Sequence, residues 1–389
     1  MSRTITPLDA DERAARLAIW CARGVGRTTF DFVLDQCHGE AARFFRDRLH
    51  ARAVLARRGI RRDAAEGLRA LLAGPPPSEI MEAQSAEGVR VFVRGDEGFP
   101  LGFGEGHASP GAIFVRGDIS RLKTSRGVAM VGSRRAPHAQ LGRARLLAER
   151  LAERGVWVIS GGALGMDAAA HWGALDAGCG STVWLAGDVR HPTPSRHREL
   201  FERVLDAGGA LASEFPRGVF PKKDYYVRRN RLIVATSELV VVLYARALEK
   251  SGTMWTVDHA HRLGRPVAAL VPEPEDYEAA ATRALLARQG ALCIFGHEDV
   301  LWHLGRSERP PAHSEVPAPR RSSAGTRGED RAALRGVSEE ARALLEEIRS
   351  AGSYSLDAIG LRMGLLLELE LAGAVRKVQG ASRFEVVHG

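Results

Sequence analysis

Three glycine-containing segments have the residue types and spacing of phosphate-binding loops: residues 131–135 (VGSRR), 160–171 (SGGALGMDAAAH) and 249–256 (EKSGTMWT). Glycine lets the backbone come close to a ligand, and N–H groups at the start of a helix attract anions. The two arginines of the first segment could add charge-assisted hydrogen bonds. One such loop would be weak evidence, but three of them indicate a phosphate-bearing ligand. Because the first loop lacks the GxGxxG pattern, it favours a simpler phosphate site over a dinucleotide site.

A fourth segment is both basic and aromatic. From Arg217 to Arg231 the sequence has six basic residues and one acidic residue, with two adjacent tyrosines at 225 and 226. Cations follow a sugar–phosphate backbone, and aromatic rings stack on unpaired bases. A run of charge alone is more often a solvated surface, but the tyrosines within it favour single-stranded nucleic acid.

Asp167 and His171 lie one helical turn apart and allow two interpretations. They could form an acid–base pair or contribute two ligands to a metal, although no third ligand is evident. The structural interpretation, hydrogen bonding at the start of a helix, is favoured because Asp is common in the first turn.

Several kinds of chemistry lack their motifs. The sequence has no GxxxxGK[ST] loop, no GxSxG elbow, no HExxH and no carboxylate cluster suited to two metal ions. Four scattered cysteines without a CxxC pair exclude a disulfide scaffold and a clustered zinc site, and they fit a reducing cytoplasm. No apolar run is long enough to cross a membrane, and we read no signal peptide at the start. We therefore expect no cofactor, no metal and no membrane partner.

The elements that must position these loops alternate between strand and helix. Short apolar runs without period-2 alternation are typical of strands buried on both faces. Amphipathic stretches between them predict helices, and this alternation predicts an α/β fold with a parallel, doubly wound Rossmann-like sheet. The predicted strands are 128–131, 156–160, 182–186, 210–213, 239–244, 266–271 and 291–295, and the predicted helices are 141–154, 166–177, 195–206, 228–236 and 253–263.

The chain on either side has a different character. Residues 1–80 predict a helical domain, in which 21–26 (CARGVG) resembles a helix-hairpin-helix turn, although a plain structural turn is the favoured interpretation. Residues 74–77 (GPPP) mark a boundary before a domain spanning 81–304. A Pro-, Ser- and Arg-rich stretch predicts a disordered linker over 305–335. Residues 336–389 suggest a small winged-helix-like domain, with predicted helices 339–351, 355–363 and 365–372 and a hairpin of 374–378 with 383–387.

Charge adds little to the assignment of a ligand. The formal net charge is +8, from 55 Lys and Arg against 47 Asp and Glu, but no predicted domain is a basic block. The basic footprint is therefore local, at residues 217–231.

The ordered motifs together resemble the DNA-processing protein A (DprA, or Smf) family. The resemblance rests on residues 128–136, 158–175, 210–221, 228–243 and 251–270, with a lead-in at 110–117, and covers roughly 90–300. It implies a non-enzymatic, cytoplasmic protein that binds single-stranded DNA, forms a homodimer and helps to load the RecA recombinase in natural transformation. The DNA-binding residues carried over or placed beside the site are Gly132, Ser133, Arg134, Arg135, Gly161, Gly162, Lys222, Lys223, Tyr226, Arg228, Arg229, Asn230, Arg231, Ser251, Gly252 and Thr253.

The sequence also departs from the family pattern. The family usually has arginine where this chain has Leu164, an acid where it has Tyr244, and Pro-Gly where it has Pro272 and Glu273. Two other functions stay open: a Rossmann-like enzyme acting on nucleoside monophosphates, and a nucleotide sensor or scaffold whose outer domains bind partners. The feature that would distinguish the enzyme is a catalytic glutamate with a partner arginine near the last glycine loop, and here that loop, at 251–258, has no PGGxGT signature.

Overall fold

The computed structural model describes residues 8–100, 103, 108–118, 120, 127–246, 251–273, 276–288, 290–307, 342–346, 354–355, 375–377 and 383–386. The chain divides into two compact units. The first comprises Met1–Val240 with Gly252–Arg265, and the second comprises Val241–Ser251 with Pro266–Gly389.

The first unit begins with six helices. Asp9 starts α1 by accepting the N–H of Glu12 at 2.7 Å, and the buried Glu12 carboxylate in turn accepts the N–H groups of Ala41 and Ala42 at the start of α3. One buried acid therefore fixes two helices. The helices are α1 (Ala10–Cys21), α2 (Arg27–Gln36), α3 (Ala41–Arg46), α4 (Arg48–Ala56), α5 (Arg62–Ala73) and α6 (Pro77–Ser85).

Six strands of the first unit follow in the spatial order β1-β2-β6-β5-β4-β3. The pairs β1/β2 and β2/β6 are antiparallel, whereas β6, β5, β4 and β3 run parallel. Most of their residues are buried, as the near-continuous apolar runs require. The strands are β1 (Arg90–Val93), β2 (Ala112–Gly117), β3 (Gly127–Gly132), β4 (Trp157–Gly161), β5 (Thr182–Trp184) and β6 (Ala210–Ser213).

Five more helices complete the first unit: α7 (His138–Glu153), α8 (Met166–Asp176), α9 (Arg198–Asp206), α10 (Lys223–Ala235) and α11 (Gly252–Arg262). A single hydrophobic core joins the N-terminal helices to the sheet, since Trp20, Phe30 and Phe44 belong to the same buried cluster as Phe114 and Leu211. The Trp20 indole also donates to the Glu214 carbonyl at 2.8 Å.

The second unit contains most of β7 (Leu239–Tyr244), followed by β8 (Val267–Leu270), α12 (Ala280–Arg288), β9 (Leu292–Ile294) and α13 (His297–His303). Strands β8 and β9 pair in parallel. Nearer the C-terminus, three short strands form an antiparallel sheet in the order β10-β12-β11. They are β10 (Tyr354–Ser355), β11 (Val375–Lys377) and β12 (Arg383–Val386).

The α/β fold class with parallel strands is confirmed. All seven predicted strands are present, and the predicted hairpin near the C-terminus is β11 paired with β12. The largest error in the sheet-flanking helices is at α10, which begins at Lys223 rather than at residue 228. Its N-cap residue, Lys222, makes no side-chain hydrogen bond to the helix, so the usual start signal is missing.

The predicted domain limits are not settled by these elements. Helix α6 covers residues 80 and 81, where we placed a boundary, and its first residue is the last proline of the predicted breaker. Ser355 lies in β10 instead of beginning a helix. The linker beyond residue 307, most of the winged-helix segment and the predicted helix at 365–372 lie outside the described residues.

Candidate nucleic-acid interface

Four loops of the first unit leave the sheet at one edge. They follow Gly132 of β3, Gly161 of β4, Trp184 of β5 and Ser213 of β6, and these four strands are parallel neighbours. Ligands of open α/β sheets bind beyond the carboxyl ends of such strands. The first two predicted phosphate loops therefore do meet at one edge, beside the segment that carries the basic and aromatic residues.

Gly165 holds the loop after β4 against the loop after β3. Its φ of +81° suits glycine, and a Cβ there would come within 3.0 Å of the carbonyl oxygens of Ser133 and Arg134. The N–H of Met166 donates to the Ser133 carbonyl at 3.2 Å, and the Ser133 hydroxyl donates to the Arg135 carbonyl at 2.9 Å. The backbone of this turn is thus engaged internally, while the side chains of Arg134 and Arg135 are exposed.

A buried guanidinium lies beneath these loops. Arg229 of α10 is 4% exposed, donates to the Trp184 carbonyl and lies directly over Gly161, where a Cβ would collide with it. Burial lowers the pKa of Arg229, against the attraction of Asp167. Burial has the opposite effect on the pKa of the Asp167 carboxyl, which it raises, although Arg229 and the Ala163 N–H at 3.4 Å act to lower it. Arg229 and Asp167 therefore support the loops from inside.

His171 is fully buried and links Gly161, at the end of β4, to Ser181, in the segment between α8 and β5. Its Nε2–H donates to the Gly161 carbonyl at 3.0 Å, and its Nδ1 accepts from the Ser181 hydroxyl at 2.8 Å, which defines a neutral imidazole. Burial lowers the pKa of His171 to about 4. Asp167 and His171 each have their own backbone partners, in agreement with the structural interpretation of this pair.

Helix α10 presents its two adjacent tyrosines to different surroundings. Tyr226 lies under the Arg134 guanidinium, whose central carbon is 5.1 Å from the ring centroid. Lys223 precedes Tyr226 by three residues and is exposed on the same side of the helix. We define the Tyr226 face as Arg134, Arg135, Leu164, Lys223 and Tyr226. It combines exposed cations with one half-buried ring and the 39%-exposed Leu164.

The other side of α10 carries a column of alternating rings and cations. Phe215 and Tyr225 stack with centroids 4.4 Å apart, and the Lys222 ammonium lies 5.7 Å from the Tyr225 centroid. Arg228 covers the Phe215 ring at 5.2 Å and the Trp20 ring at 5.8 Å. Lys222, Tyr225 and Arg228 are spaced by three residues, so they share one side of the helix.

Glu214 is the buried counter-ion of this column. It is 1% exposed and pairs with Arg231 at 2.6 Å and with Arg228 at 3.0 Å. Burial alone would raise its pKa, but the guanidinium groups of Arg231 and Arg228 hold the pKa of Glu214 below its usual range.

The predicted site residues differ in exposure, and Gly132, Ser133, Tyr226, Arg228, Arg231 and Ser251 are half-buried. Arg134, Arg135, Lys222 and Lys223 are exposed, whereas Gly161, Gly162, Arg229 and Asn230 are buried. Asn230 donates to the Gly252 carbonyl at 3.0 Å. Thr253, the residue after Gly252, is buried. Ser251 belongs to the second unit, and residues 249–250 lie outside the described residues. DNA contact by any of these residues stays a prediction.

The sequence did not indicate a role for Glu214 and Phe215 in this region, and it showed Tyr225 only as part of the basic and aromatic run, not as a member of a separate column. The spacing of Lys222, Tyr225 and Arg228 was the available signal, and a helix starting at 223 would have revealed it. In the described part of the chain, no group of three or more His, Cys, Asp or Glu residues could hold a metal ion. Among the same residues no helix has the length and apolar character of a membrane span.

These observations define the class of protein: an α/β protein in which one edge of the sheet carries cationic and aromatic side chains. Residues 90–305 match the family described as DNA recombination-mediator protein A, and the chain belongs to that family. The Rossmann-like fold is shared with the DprA structure of Streptococcus pneumoniae, at a TM-score of 0.62 and 21% identity over 76% of this chain and 98% of that chain.

The sequences of other members of this family are also similar to this chain. The Escherichia coli protein Smf is 38% identical over 197 residues, which are 50% of this chain and 51% of Smf. A Mycobacterium tuberculosis protein bearing the DprA name is 36% identical over 241 residues, 62% of this chain and 58% of that protein. The chain therefore spans about half to three fifths of these relatives. A Helicobacter pylori DprA structure, which concerns its single-stranded DNA binding mode, matches at a TM-score of 0.50 and 26% identity, covering 57% of this chain and 98% of that chain.

Proposed function

We propose that this chain binds single-stranded DNA at the Tyr226 face and acts without catalysis as a DNA-processing mediator. In this proposal it protects incoming single strands during natural transformation and helps to load RecA. It would do so in the cytoplasm and as a homodimer. Family membership supports the DNA-processing role, and the described binding mode of the H. pylori protein supports the ligand.

One observation carries the proposal: Arg134 lies over the Tyr226 ring at the carboxyl edge of the sheet. An arginine stacked on an aromatic ring offers its N–H groups to a phosphate while the ring offers a surface to a base. Arg135 and Lys223 add exposed positive charge for the neighbouring phosphates. No sequence-specific contact is needed, because every base has a stacking face.

The buried support explains why such a surface would bind at low entropic cost. Gly165 packs against the turn that carries Arg134, and Arg229 and His171 hold the loop after β4. Since these backbone segments are already fixed, little ordering is required when a strand arrives. Because Arg229 is buried and already bonded within the protein, the exposed cations Arg134, Arg135 and Lys223 are the charges that DNA can contact at this face.

The test is fluorescence anisotropy of a labelled single strand of about 30 nucleotides across a salt series. Arg134→Ala and Lys223→Ala should each flatten the slope of log affinity against log salt by about 0.7, the value expected for one lost phosphate contact. Arg58→Ala removes an exposed arginine after α4, outside the Tyr226 face, and serves as the control. Equal slopes for all four proteins, or salt-insensitive binding, would overturn the proposal.

A further inference from the structure

A cavity of about 660 Å³ lies on the other side of α10 from the Tyr226 face. One wall is the turn at 21–26 between α1 and α2, and the opposite wall is the segment from Glu214 to Arg228. All of its lining residues belong to the first unit. We call it the Tyr225 groove, and the lining residues that matter here are Trp20, Arg23, Phe215, Lys222, Tyr225 and Arg228.

The groove carries an excess of positive charge, because five Arg and Lys residues line it against three Asp and Glu residues, one of which is the exposed Asp224. Arg228 pairs with Glu214, and Arg61 pairs with Asp63. Arg23 and Lys222 are exposed, and neither has a carboxylate partner among the residues that the structure describes. Two unpaired cations on opposite walls of one cavity favour an anionic ligand that lies between them.

The groove also offers aromatic surface. Phe215 stacks on the Tyr225 ring, and the ammonium group of the exposed Lys222 lies 5.7 Å from the centroid of the same ring. A base or sugar could replace that ammonium on Tyr225, while the ammonium moves to a phosphate. The volume falls within the range of about 300–1,000 Å³ that is usual for sites holding a small-molecule-sized group, such as a nucleotide.

We propose that the Tyr225 groove binds a second segment of the single-stranded DNA held at the Tyr226 face. The two tyrosines are adjacent on one helix and point about 100° apart, so the strand has to follow an arc of about 10 Å around α10, whose diameter with side chains is about 10–12 Å. At about 3.4 Å per nucleotide, roughly three nucleotides would lie between the two sites, and at least one more would occupy each site, so a strand of about 4 nucleotides is too short to fill both. The strand would cross the N-terminus of α10, whose N-cap residue makes no side-chain hydrogen bond and whose N–H groups favour phosphate.

This inference depends on the proposed function, and strand length separates the two. We would compare oligothymidines of about 4 and about 20 nucleotides, because only the longer one reaches both sites. Arg23→Glu and Tyr225→Leu should lower the affinity for the long strand about tenfold, the loss of one stacked base or phosphate contact, and leave the short strand unaffected. Arg134→Ala should weaken both, and Arg58→Glu, an equal charge reversal outside the groove, should weaken neither.

A cross-linking experiment protects the test against misfolded variants, because it uses the unaltered chain. Strands with 5-iodouracil in place of thymine should photocross-link to Tyr226 at either length and to Tyr225 at the longer length alone. Cross-links to Tyr226 without Tyr225, together with a silent Arg23→Glu, would overturn the groove proposal and leave the proposed function intact. If neither strand binds or cross-links, the proposed function fails and the groove proposal fails with it.

Discussion

The Tyr226 face and the Tyr225 groove lie on different sides of one helix, and each has a buried carboxylate close to it. Asp167 lies near Arg229 beneath the Tyr226 face, and Glu214 pairs with Arg228 and Arg231 beneath the groove. Their pKa values shift in opposite directions. Burial dominates at Asp167 and raises its pKa, whereas at Glu214 the two guanidinium groups outweigh burial and lower it.

This difference shows what each carboxylate contributes. Glu214 has direct ion pairs at 2.6 and 3.0 Å, so its charge is the foundation of the aromatic and cationic column. Asp167 accepts a long hydrogen bond from the Ala163 N–H and interacts with Ser160, Arg229 and Arg134, but these interactions do not outweigh the effect of its burial. The groove therefore depends on a charge, while the Tyr226 face depends on close backbone packing at Gly161 and Gly165.

The largest expected effect comes from neutralising Glu214. Glu214→Gln leaves two guanidinium groups without their counter-ion, and breaking such a buried pair costs about 3–5 kcal/mol of unfolding free energy. Asp167→Asn should cost only about 1 kcal/mol, since relief of a buried charge offsets the lost attraction to Arg229. Urea unfolding of both variants at pH 7 measures the two values.

The dependence on pH provides an internal check. Because the folded-state pKa of Glu214 is lowered, its stabilisation is fully present above the unfolded value of 4.5 and is lost as pH falls through the folded pKa.

Glu153→Gln, which alters an exposed pair with Arg150, is the matched control for the urea experiment and should change the free energy of unfolding by less than about 1 kcal/mol. Equal costs for Glu214→Gln and Asp167→Asn would show that the two carboxylates do not differ as described.

The second effect tests the role of backbone packing at the Tyr226 face. Gly165→Ala should cost about 3 kcal/mol and weaken single-stranded DNA binding, because the new methyl group displaces the turn that carries Arg134. Gly178→Ala has nearly the same backbone strain, at φ +69° against +81°, but its methyl group meets nothing within 4 Å. It should cost about 1–2 kcal/mol and leave DNA affinity unchanged. Similar affinities for the two variants would remove Gly165 from the support of the site.

The third effect concerns His171, the neutral histidine beneath the same face. Because its pKa falls from 6.5 to about 4 on folding, the unfolded chain binds the proton more readily between these values, and stability decreases as pH drops below 6.5. Between pH 7.5 and pH 5 this group should remove about 2 kcal/mol from the wild-type protein. His171→Gln should abolish that part of the pH dependence, whereas the exposed His261→Gln should retain it. Parallel pH profiles for wild type and His171→Gln would contradict the assignment.

Much of this architecture could be predicted from the sequence. Apolar runs such as 239–244 predict buried strands. Because neighbouring strands run parallel, the loops at 133–135 and 162–165 come to the same edge of the sheet. The pairing of charges was not predictable, because it depends on which side of α10 each residue occupies. With the helix assumed to begin at residue 228, Tyr225 and Tyr226 formed one undivided basic and aromatic run.

Burial was the second property that the sequence concealed. Arg229 is as basic as Arg228 in any composition count, yet it is 4% exposed and donates to the Trp184 carbonyl. Such a position follows from the absence of a side chain at Gly161, which lies at the end of β4, several elements before α10 in the chain. Only the packed structure shows that this glycine makes room for that guanidinium.

The smallest expected effect restores a charge to the Tyr226 face. Leu164 is 39% exposed and directly precedes Gly165, where the resemblance to relatives implies an arginine. Leu164→Arg should steepen the salt dependence of single-stranded DNA binding by about 0.7 in slope, as one added phosphate contact requires. Leu49→Arg adds the same charge at a 79%-exposed position on α4, away from both sites, and should leave the slope unchanged. Because the new cation would join Arg134 rather than Arg23, Leu164→Arg should strengthen binding of short and long strands alike. A gain confined to long strands would instead mean that position 164 serves the Tyr225 groove, and the division of α10 into two binding sides would have to be redrawn.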